Sequence, residues 1–194
     1  MARRGLTEER IVAATSRLAD DHGLAAVTIA AVAAELGVRP PSLYNHVASR
    51  EALLHAVGGA ALRDLAAAMS LAAAGLARDD ALLAMARAQR AYALDHPGAY
   101  AATSRVLGVH DERFLAAGAA VVDVLMAVLR GFGLTGDDAV HGARAIRAAV
   151  HGFVSLELAG GFAIPVQLDA SFDWTVRALA AGLRAPAGAG TSGA

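Results

Sequence analysis

The chain has 194 residues, of which 56% are hydrophobic, with a formal net charge of -1 and no cysteine. Its length suits one large domain or a small domain joined to a larger one, and the lack of cysteine excludes disulfides, thiolate catalysis and cysteine-ligated metal sites. A nearly neutral chain has no overall attraction for nucleic acid, so DNA binding would have to come from a local motif.

The hydrophobic excess is mostly alanine, the strongest helix former, and few runs of β-branched or aromatic residues favour strands. The composition therefore predicts an all-α fold. The richest apolar stretch, residues 114–129, contains Asp123, and the other apolar runs end before the roughly 20 residues that a membrane span requires. The amino terminus lacks the apolar core of a signal peptide, so we expect a cytoplasmic protein that does not enter a membrane.

The amino-terminal part predicts three short helices followed by a longer one. Thr7 and the two glutamates after it suit the start of a helix, which would end near His22 because Gly23 tolerates the left-handed conformation of a C-cap. Ser49 is the expected cap of the fourth helix, an alanine-rich segment that runs toward Ser70.

Between these helices, the sequence predicts a helix, a tight turn and a second helix. Thr28 opens a helix with apolar residues at helical spacing, and Gly37 supplies its C-cap. Arg39 precedes a proline and is therefore disfavoured in helical geometry. Pro40 and Pro41 fit the first turn of the next helix, because their missing N–H groups cost nothing there and their φ is already helical.

A helix-turn-helix needs a second helix that packs with one face and presents polar side chains to the major groove. Leu43 and Val47 lie four residues apart and would anchor the inner face. This leaves Ser42, Asn45 and His46 to point outward.

The rest of the chain predicts five further helices, which makes about nine in all. They run from 79 or 80 to about 96, from 97 to about 107, from 114 to 129, from 135 to 159 and from 169 to about 184. The expected caps are Asp111, Thr135 in a capping-box-like pattern with Asp138, and Asp169. Residues 185–194 are small and glycine-rich, which predicts a mobile tail.

The amino-terminal segment resembles the DNA-binding domain of the TetR family over about residues 7–55. The resemblance is carried by Thr28-Ile29-Ala30-x-Val32-Ala33-x-x-Leu36-Gly37-Val38-x-x-Pro41-Ser42-Leu43-Tyr44-x-His46-Val47-x-x-Arg50-x-x-Leu53. It implies a three-helix DNA-binding domain over residues 1–50, a helical ligand-binding and dimerisation domain over residues 51–184, and operator DNA as a partner.

The resemblance also implies roles for single residues. Thr28 would hold a phosphate through its hydroxyl and N–H groups, and Tyr44 and His46 would contact the DNA backbone. Arg50 would do the same in place of the family's lysine. Base reading would fall to the leading edge of the second helix, at Arg39, Pro40, Pro41, Ser42 and Asn45. Pro40 departs from the polar residues frequent at its position, and an Arg3-Arg4 arm would enter the adjacent minor groove.

Two carboxyl-terminal helices have the apolar faces of a dimer interface. Residues 135–159 are apolar on more than one face, and the last helix has a continuous stripe formed by Phe172, Val176, Leu179 and Leu183. They predict a four-helix bundle with a second copy, as TetR-like proteins form. Residues 150–173 also resemble a C-terminal class named for Trp-His-Gly, with Val150 at the tryptophan position.

The resemblance implies that the middle helices enclose a pocket for a small-molecule effector. Its candidate lining is Met85, Tyr92, Tyr100, Phe114, Met126, His151, Phe153 and Trp174. The sequence has no metal-ligand spacing, nucleophile elbow, phosphate loop or dinucleotide-binding glycine run, so we expect no metal, no cofactor and no enzymatic activity.

These observations predict a homodimeric, ligand-responsive repressor that loses operator affinity when its effector binds. An activator or a ligand-independent regulator of the same family is the first alternative. A helical small-molecule-binding protein or enzyme without DNA function is the second, and an amphipathic membrane-associated protein is the third.

Overall fold

The computed structural model describes residues 6–104 and 111–184, which form nine α-helices and one short 3₁₀ helix and contain no strand. The helices are α1 (Glu8–His22), α2 (Ile29–Glu35), α3 (Pro40–Tyr44), α4 (Arg50–Ala73), α5 (Arg78–Asp95), α6 (Pro97–Ala102), α7 (Glu112–Gly131), α8 (Gly136–Leu158) and α9 (Leu168–Leu183). The all-α prediction is confirmed. The sixth helix ends at Ala102, about five residues earlier than predicted. The Arg3-Arg4 arm and the tail over residues 185–194 lie outside the described residues.

Three of the predicted helix caps are formed as the sequence indicates. The hydroxyl oxygens of Thr7, Thr28 and Ser49 accept hydrogen bonds from N–H groups three residues on, at 3.4, 3.1 and 3.1 Å. Each hydroxyl replaces a partner that the first turn of a helix lacks, so α1, α2 and α4 begin where local chemistry places them. Asp111 likewise accepts from the N–H of Arg113 at 2.8 Å, at the start of α7.

Thr135 occupies the N-cap position of α8 as predicted but lacks the side-chain bond of a capping box, and Asp169 is not a cap. The side chain of Thr135 makes no capping hydrogen bond, because Gly136 begins α8 with a left-handed φ of 54° and so interrupts the regular first turn. Asp169 lies inside the first turn of α9, whose N-cap position is Gln167. Its carboxylate instead accepts a hydrogen bond from Arg90 at 2.7 Å.

The chain divides into two compact units, each built from two stretches of sequence. The first unit contains residues 1–65 and 92–120. In it α1 packs against α6, and α2 packs against α3. A core of buried residues from α1 to α4 holds these helices together: Ile11, Ala19, Val27, Val32, Ala33, Leu43, Val47, Leu53 and Leu54. The expected division of function at residue 50 stays a prediction.

The second unit contains residues 66–91 and 121–194. Within it α8 packs against α9. Of the stripe predicted for α9, Phe172 and Val176 are buried, whereas Leu179 and Leu183 are half-buried. The buried side chains of the pair include Ile146, Val150 and Val154 of α8 and Phe172, Val176 and Ala180 of α9. They are covered by the chain itself, whereas the sequence had suggested cover by a second copy.

Two described helices, α4 and α7, are long and apolar enough by length and composition to cross a membrane. The sequence analysis expected no such stretch. Both helices also contribute fully buried side chains to the packing of the protein, Leu53 and Leu54 from α4 and Leu129 from α7. The most apolar window of each helix is 44% buried in α4 and 28% buried in α7, so the described chain covers less than half of either.

Candidate nucleic-acid interface

The turn between α2 and α3 has the compact geometry of a helix-turn-helix. Gly37 adopts a left-handed φ of 66°, and the N–H of Val38 donates to the carbonyl of Ala33 at 2.9 Å, which closes the end of α2. Arg39 is extended, with φ -82° and ψ 145°, as expected for a residue that precedes a proline. Pro40 and Pro41 then occupy the first turn of α3, as predicted.

The inner face of α3 is fixed by two buried side chains. Leu43 is fully buried and Val47 nearly so, and both belong to the core of the first unit. The helix ends at Tyr44, earlier than the sequence suggests, but the N–H of Val47 still donates to the carbonyl of Leu43 at 3.0 Å. This bond keeps the helical spacing of the two anchors, so their inward direction is confirmed.

The polar side chains of the same segment face outward. Tyr44 is 58% exposed, and Asn45 and His46 are exposed in the turn that follows α3. Arg39, Pro40 and Pro41 are also exposed. Ser42 is half-buried, and Thr28 is exposed at the start of α2. A polar and aromatic surface backed by apolar anchors is the arrangement that a groove-reading helix requires.

Arg50 is engaged within the protein. Its Nε donates to the carbonyl of Val27 at 2.6 Å, and its Nη2 donates to the carbonyl of Leu24 at 2.7 Å. The remaining terminal nitrogen lies 3.6 Å from a carboxylate oxygen of Glu51. The guanidinium therefore ties the segment before α2 to the start of α4, whereas the sequence analysis assigned it to a phosphate.

The local charge of the segment is small. Residues 28–50 carry Arg39 and Arg50 against Glu35, a net charge of +1. Glu35 lies 3.6 Å from the guanidinium of Arg17 on α1, and both side chains are largely exposed. Exposed pairs of this kind contribute little to stability. Because Arg50 is bound to backbone carbonyls, Arg39 is the main cation on the polar surface of residues 28–50.

Within the first unit, the backbones of α1 and α6 are in close contact. The carboxylate of Asp20 on α1 accepts a hydrogen bond from the N–H of Ala99 at 2.8 Å, in the first turn of α6. Nδ1 of His96 lies 3.4 Å from the same carboxylate. A Cβ built on Gly98 would lie 2.1 Å from the carbonyl carbon and oxygen of Ala19, so only glycine permits this approach. No local sequence signal indicates the contact, because its members are nearly 80 residues apart.

The eight predicted ligand-lining residues are divided between the units. Tyr92, Tyr100 and Phe114 belong to the first unit, whereas Met85, Met126, His151, Phe153 and Trp174 belong to the second. Their membership of one pocket stays a prediction.

The candidate ligand-lining residues also differ in how deeply they are buried. Met85, Tyr100 and Phe114 are buried, and Met126, His151 and Phe153 are half-buried. Trp174 is 72% exposed, so the described chain does not enclose it. Tyr92 is half-buried and lines a cleft of about 560 Å³ in the first unit.

An arginine cluster that the sequence analysis missed joins three helices of the second unit. Arg90 of α5 donates to both carboxylate oxygens of Glu157 at 2.7 and 2.6 Å and to Asp169 at 2.7 Å. Its guanidinium lies 5.1 Å from the ring centroid of Phe172. Hydrogen bonding to Glu157 raises the pKa of Arg90, which keeps the cluster charged. Paired charges stacked on an aromatic ring indicate a structural role for this site.

Comparison with known proteins agrees with this geometry. Residues 11–57 match the family described as bacterial regulatory proteins, tetR family, and residues 82–179 match the tetracyclin repressor-like C-terminal domain. An uncharacterised HTH-type transcriptional regulator of Mycobacterium tuberculosis is 41% identical over 179 residues, which cover 92% of this chain and 82% of that protein.

Solved structures have the same fold. A crystal structure of BioQ with its natural double-stranded DNA operator is 28% identical, with a TM-score of 0.68, and the match covers 93% of this chain and 99% of that one. TetR from Acinetobacter baumannii in complex with minocycline is 23% identical, with a TM-score of 0.71 and 92% and 96% coverage, and shows the fold alone. The helix-turn-helix, both domain matches and the mycobacterial relative establish that the chain belongs to the TetR family of bacterial transcriptional regulators.

Proposed function

We propose that this regulator is a cytoplasmic homodimeric repressor that holds operator DNA with residues 1–50 and releases it when an effector binds within residues 51–184. The observation that carries the proposal is the polarity of α3, where Leu43 and Val47 are buried while Tyr44 and His46 are exposed. A helix whose apolar side chains are buried and whose polar face is exposed is suited to the major groove.

The exposed residues divide into two proposed groups. Thr28, Tyr44 and His46 contact the DNA backbone and set the register of α3, since hydroxyl and imidazole groups are common phosphate partners. The leading edge of α3 reads bases through Arg39, Pro40, Pro41, Ser42 and Asn45. Arginine is suited to guanine, and the proline rings can contact a thymine methyl group.

Arg50 acts as a positioning residue in this proposal. Its hydrogen bonds to the carbonyls of Leu24 and Val27 fix the segment that leads into α2. The orientation of the whole helix-turn-helix depends on that segment, so Arg50 affects DNA binding without touching a phosphate.

Exposed apolar side chains on α8 and α9 support the homodimer. Leu156 is 52% exposed and Trp174 is 72% exposed, and Val140 and Leu158 are exposed as well. A soluble protein rarely leaves such a surface open, and a second copy would cover it with the same surface. In this arrangement the two α3 helices would face half-sites about one helical turn apart.

DNA selection tests the proposal directly. Fragments selected from random DNA by the purified protein should show twofold symmetry, and fluorescence anisotropy should then give the affinity of each variant. Tyr44→Ala and His46→Ala should each weaken binding about tenfold, because each loses a contact to a charged group. His22→Ala, an exposed histidine on α1, is the matched control and should leave the affinity unchanged.

The outcome also separates the alternatives. Absence of any retained DNA, or an affinity that does not fall with salt, would refute the proposal and favour a small-molecule-binding protein, since phosphate contacts impose a salt dependence. A fall in reporter expression on deletion of the gene would indicate an activator. Sedimentation with liposomes would indicate the membrane-associated alternative.

A further inference from the structure

The first unit contains a cleft of about 560 Å³ next to the helix that supports the helix-turn-helix. Its apolar lining includes Val12 of α1, Ala61 of α4, Ala99 of α6 and the ring of Tyr92. A volume of this size suits a small organic molecule. No described residue of the DNA-binding surface lines the cleft, so an occupant would not compete directly with DNA.

Two carboxylates of the cleft, one half-buried and one exposed, act on its aromatic ring. Asp20 and Asp64 both line the cleft, and both act on the half-buried phenol of Tyr92. Burial, followed by the charges of Asp64 and Asp20, raises the pKa of Tyr92. Burial disfavours a charge of either sign at this ring, whereas the two carboxylates act against a further negative charge only.

Four basic side chains of the described residues also line the cleft, and three of them lie near a carboxylate: His96 near Asp20, Arg113 near Glu8 and Arg17 near Glu35. The guanidinium of Arg113 lies 3.5 Å from Glu8, and that of Arg17 lies 3.6 Å from Glu35. Arg63 is the remaining lining arginine, and it is exposed beside Asp64 in the sequence of α4. Glu9 adds a further carboxylate at the outer edge.

We propose that this cleft binds an organic cation with an aromatic or bulky apolar body. The body packs against Val12, Ala61 and the face of Tyr92, and the positive charge lies between Asp64 and Asp20. An aromatic face and nearby carboxylates are the groups that attract an ammonium or phosphonium centre.

The proposal rests on the ligand response of the proposed function and assigns a ligand class to it. It also moves the effector, because the cleft is lined by α1 as well as by α4 to α7 and so does not lie within residues 51–184 alone. Asp20 lines the cleft and also accepts the hydrogen bond from the N–H of Ala99. A cation that attracts the Asp20 carboxylate competes with this bond between α1 and α6. Since α1 packs against α2, the orientation of the helix-turn-helix changes with occupancy of the cleft.

Calorimetric titration with tetraphenylphosphonium tests the site, and tetraphenylborate is the matched anion of the same shape. The intact protein should bind the cation and should bind the anion at least tenfold more weakly. Asp64→Asn should weaken cation binding about tenfold, and Tyr92→Leu should weaken it as well. Asp21→Asn removes an exposed carboxylate of α1 that does not line the cleft and should leave binding unchanged.

Equal binding of both ions, no binding of the cation, or an unchanged affinity in Asp64→Asn would overturn the proposal. Operator anisotropy in the presence of the cation distinguishes this failure from failure of the proposed function. If the protein binds DNA normally but not the cation, only the cleft proposal fails. If it binds the cation but no DNA, only the repressor proposal fails.

Discussion

Replacement of Gly98 by alanine should destabilise the first unit strongly. The added Cβ would lie 2.1 Å from the carbonyl carbon and oxygen of Ala19, whereas ordinary contacts begin at 3.4 Å. The obstacle is backbone, which cannot rotate away as a side chain can. Relief therefore requires a displacement of α1 from α6 of about 1 Å, in a packed interior that resists such shifts.

The expected cost follows from two opposing effects. Overpacking of a core typically costs about 1–3 kcal/mol, and here we place it at about 3–4 kcal/mol because backbone blocks the new atom; alanine in place of glycine in a helix contributes about 1 kcal/mol in return. We expect a net loss of about 2–3 kcal/mol in the free energy of unfolding. For a chain of this size, that loss lowers the midpoint of thermal unfolding by roughly 4–12 °C.

Thermal unfolding followed by circular dichroism measures the effect, with Gly118→Ala as the matched control. Gly118 lies within α7 of the same unit, and a Cβ there would meet Leu62 at 4.0 Å, an ordinary contact. The control should unfold at the same temperature as the wild type or above it. A Gly98→Ala variant as stable as the control would refute the close contact between α1 and α6.

Three further predictions concern other parts of the molecule. Arg50→Lys keeps the charge but loses the paired hydrogen bonds to the carbonyls of Leu24 and Val27. It should therefore lower the free energy of unfolding in urea by about 1–3 kcal/mol and weaken operator binding. An unchanged operator affinity would instead support a direct phosphate contact. Hydrogen bonding to Arg87 lowers the pKa of Asp173, so this pair should stabilise the fold above about pH 4 and less as the pH falls through the lowered pKa. The difference in unfolding temperature between wild type and Asp173→Asn should therefore shrink below that pH, and a constant difference would contradict the pairing. Trp174→Ala should shift the protein from dimer toward monomer in light scattering. Leu71→Ala, a change at an 80% exposed leucine of α4, is the control and should leave the dimer intact. A Trp174→Ala variant that stays dimeric would place the interface elsewhere.

The start of a helix can be predicted from local sequence wherever the capping side chain and the N–H group that it binds lie within one turn. Thr28 and Ser49 cap α2 and α4 through N–H groups three residues away, and the prolines of α3 fix their own φ. The sequence was less reliable where a distant group competed for the same atoms. Asp169 has the chemistry of a cap, but Arg90 binds its carboxylate.

The candidate DNA-binding site likewise has some features that local sequence predicts and others that depend on distant residues. The outward direction of His46 follows from the helical spacing of Leu43 and Val47, whereas Tyr44 was assigned to the DNA-binding surface by the family resemblance. The role of Arg50 does not follow, because its carbonyl partners lie 23 and 26 residues earlier in the chain. The candidate ligand-lining residues are methionines, aromatics and a histidine, and residue type carries no information about which unit each belongs to.

The sequence by itself determined the all-α class, the order of the helices and the face that α3 presents, since these depend on propensity, capping and periodicity within a few residues. Only the tertiary structure decided that Gly98 meets α1, that Arg50 holds the approach to α2 and that Asp20 and Asp64 share a cleft with Tyr92. Those contacts join residues far apart in the chain, and they form only when burial of the core brings the helices together.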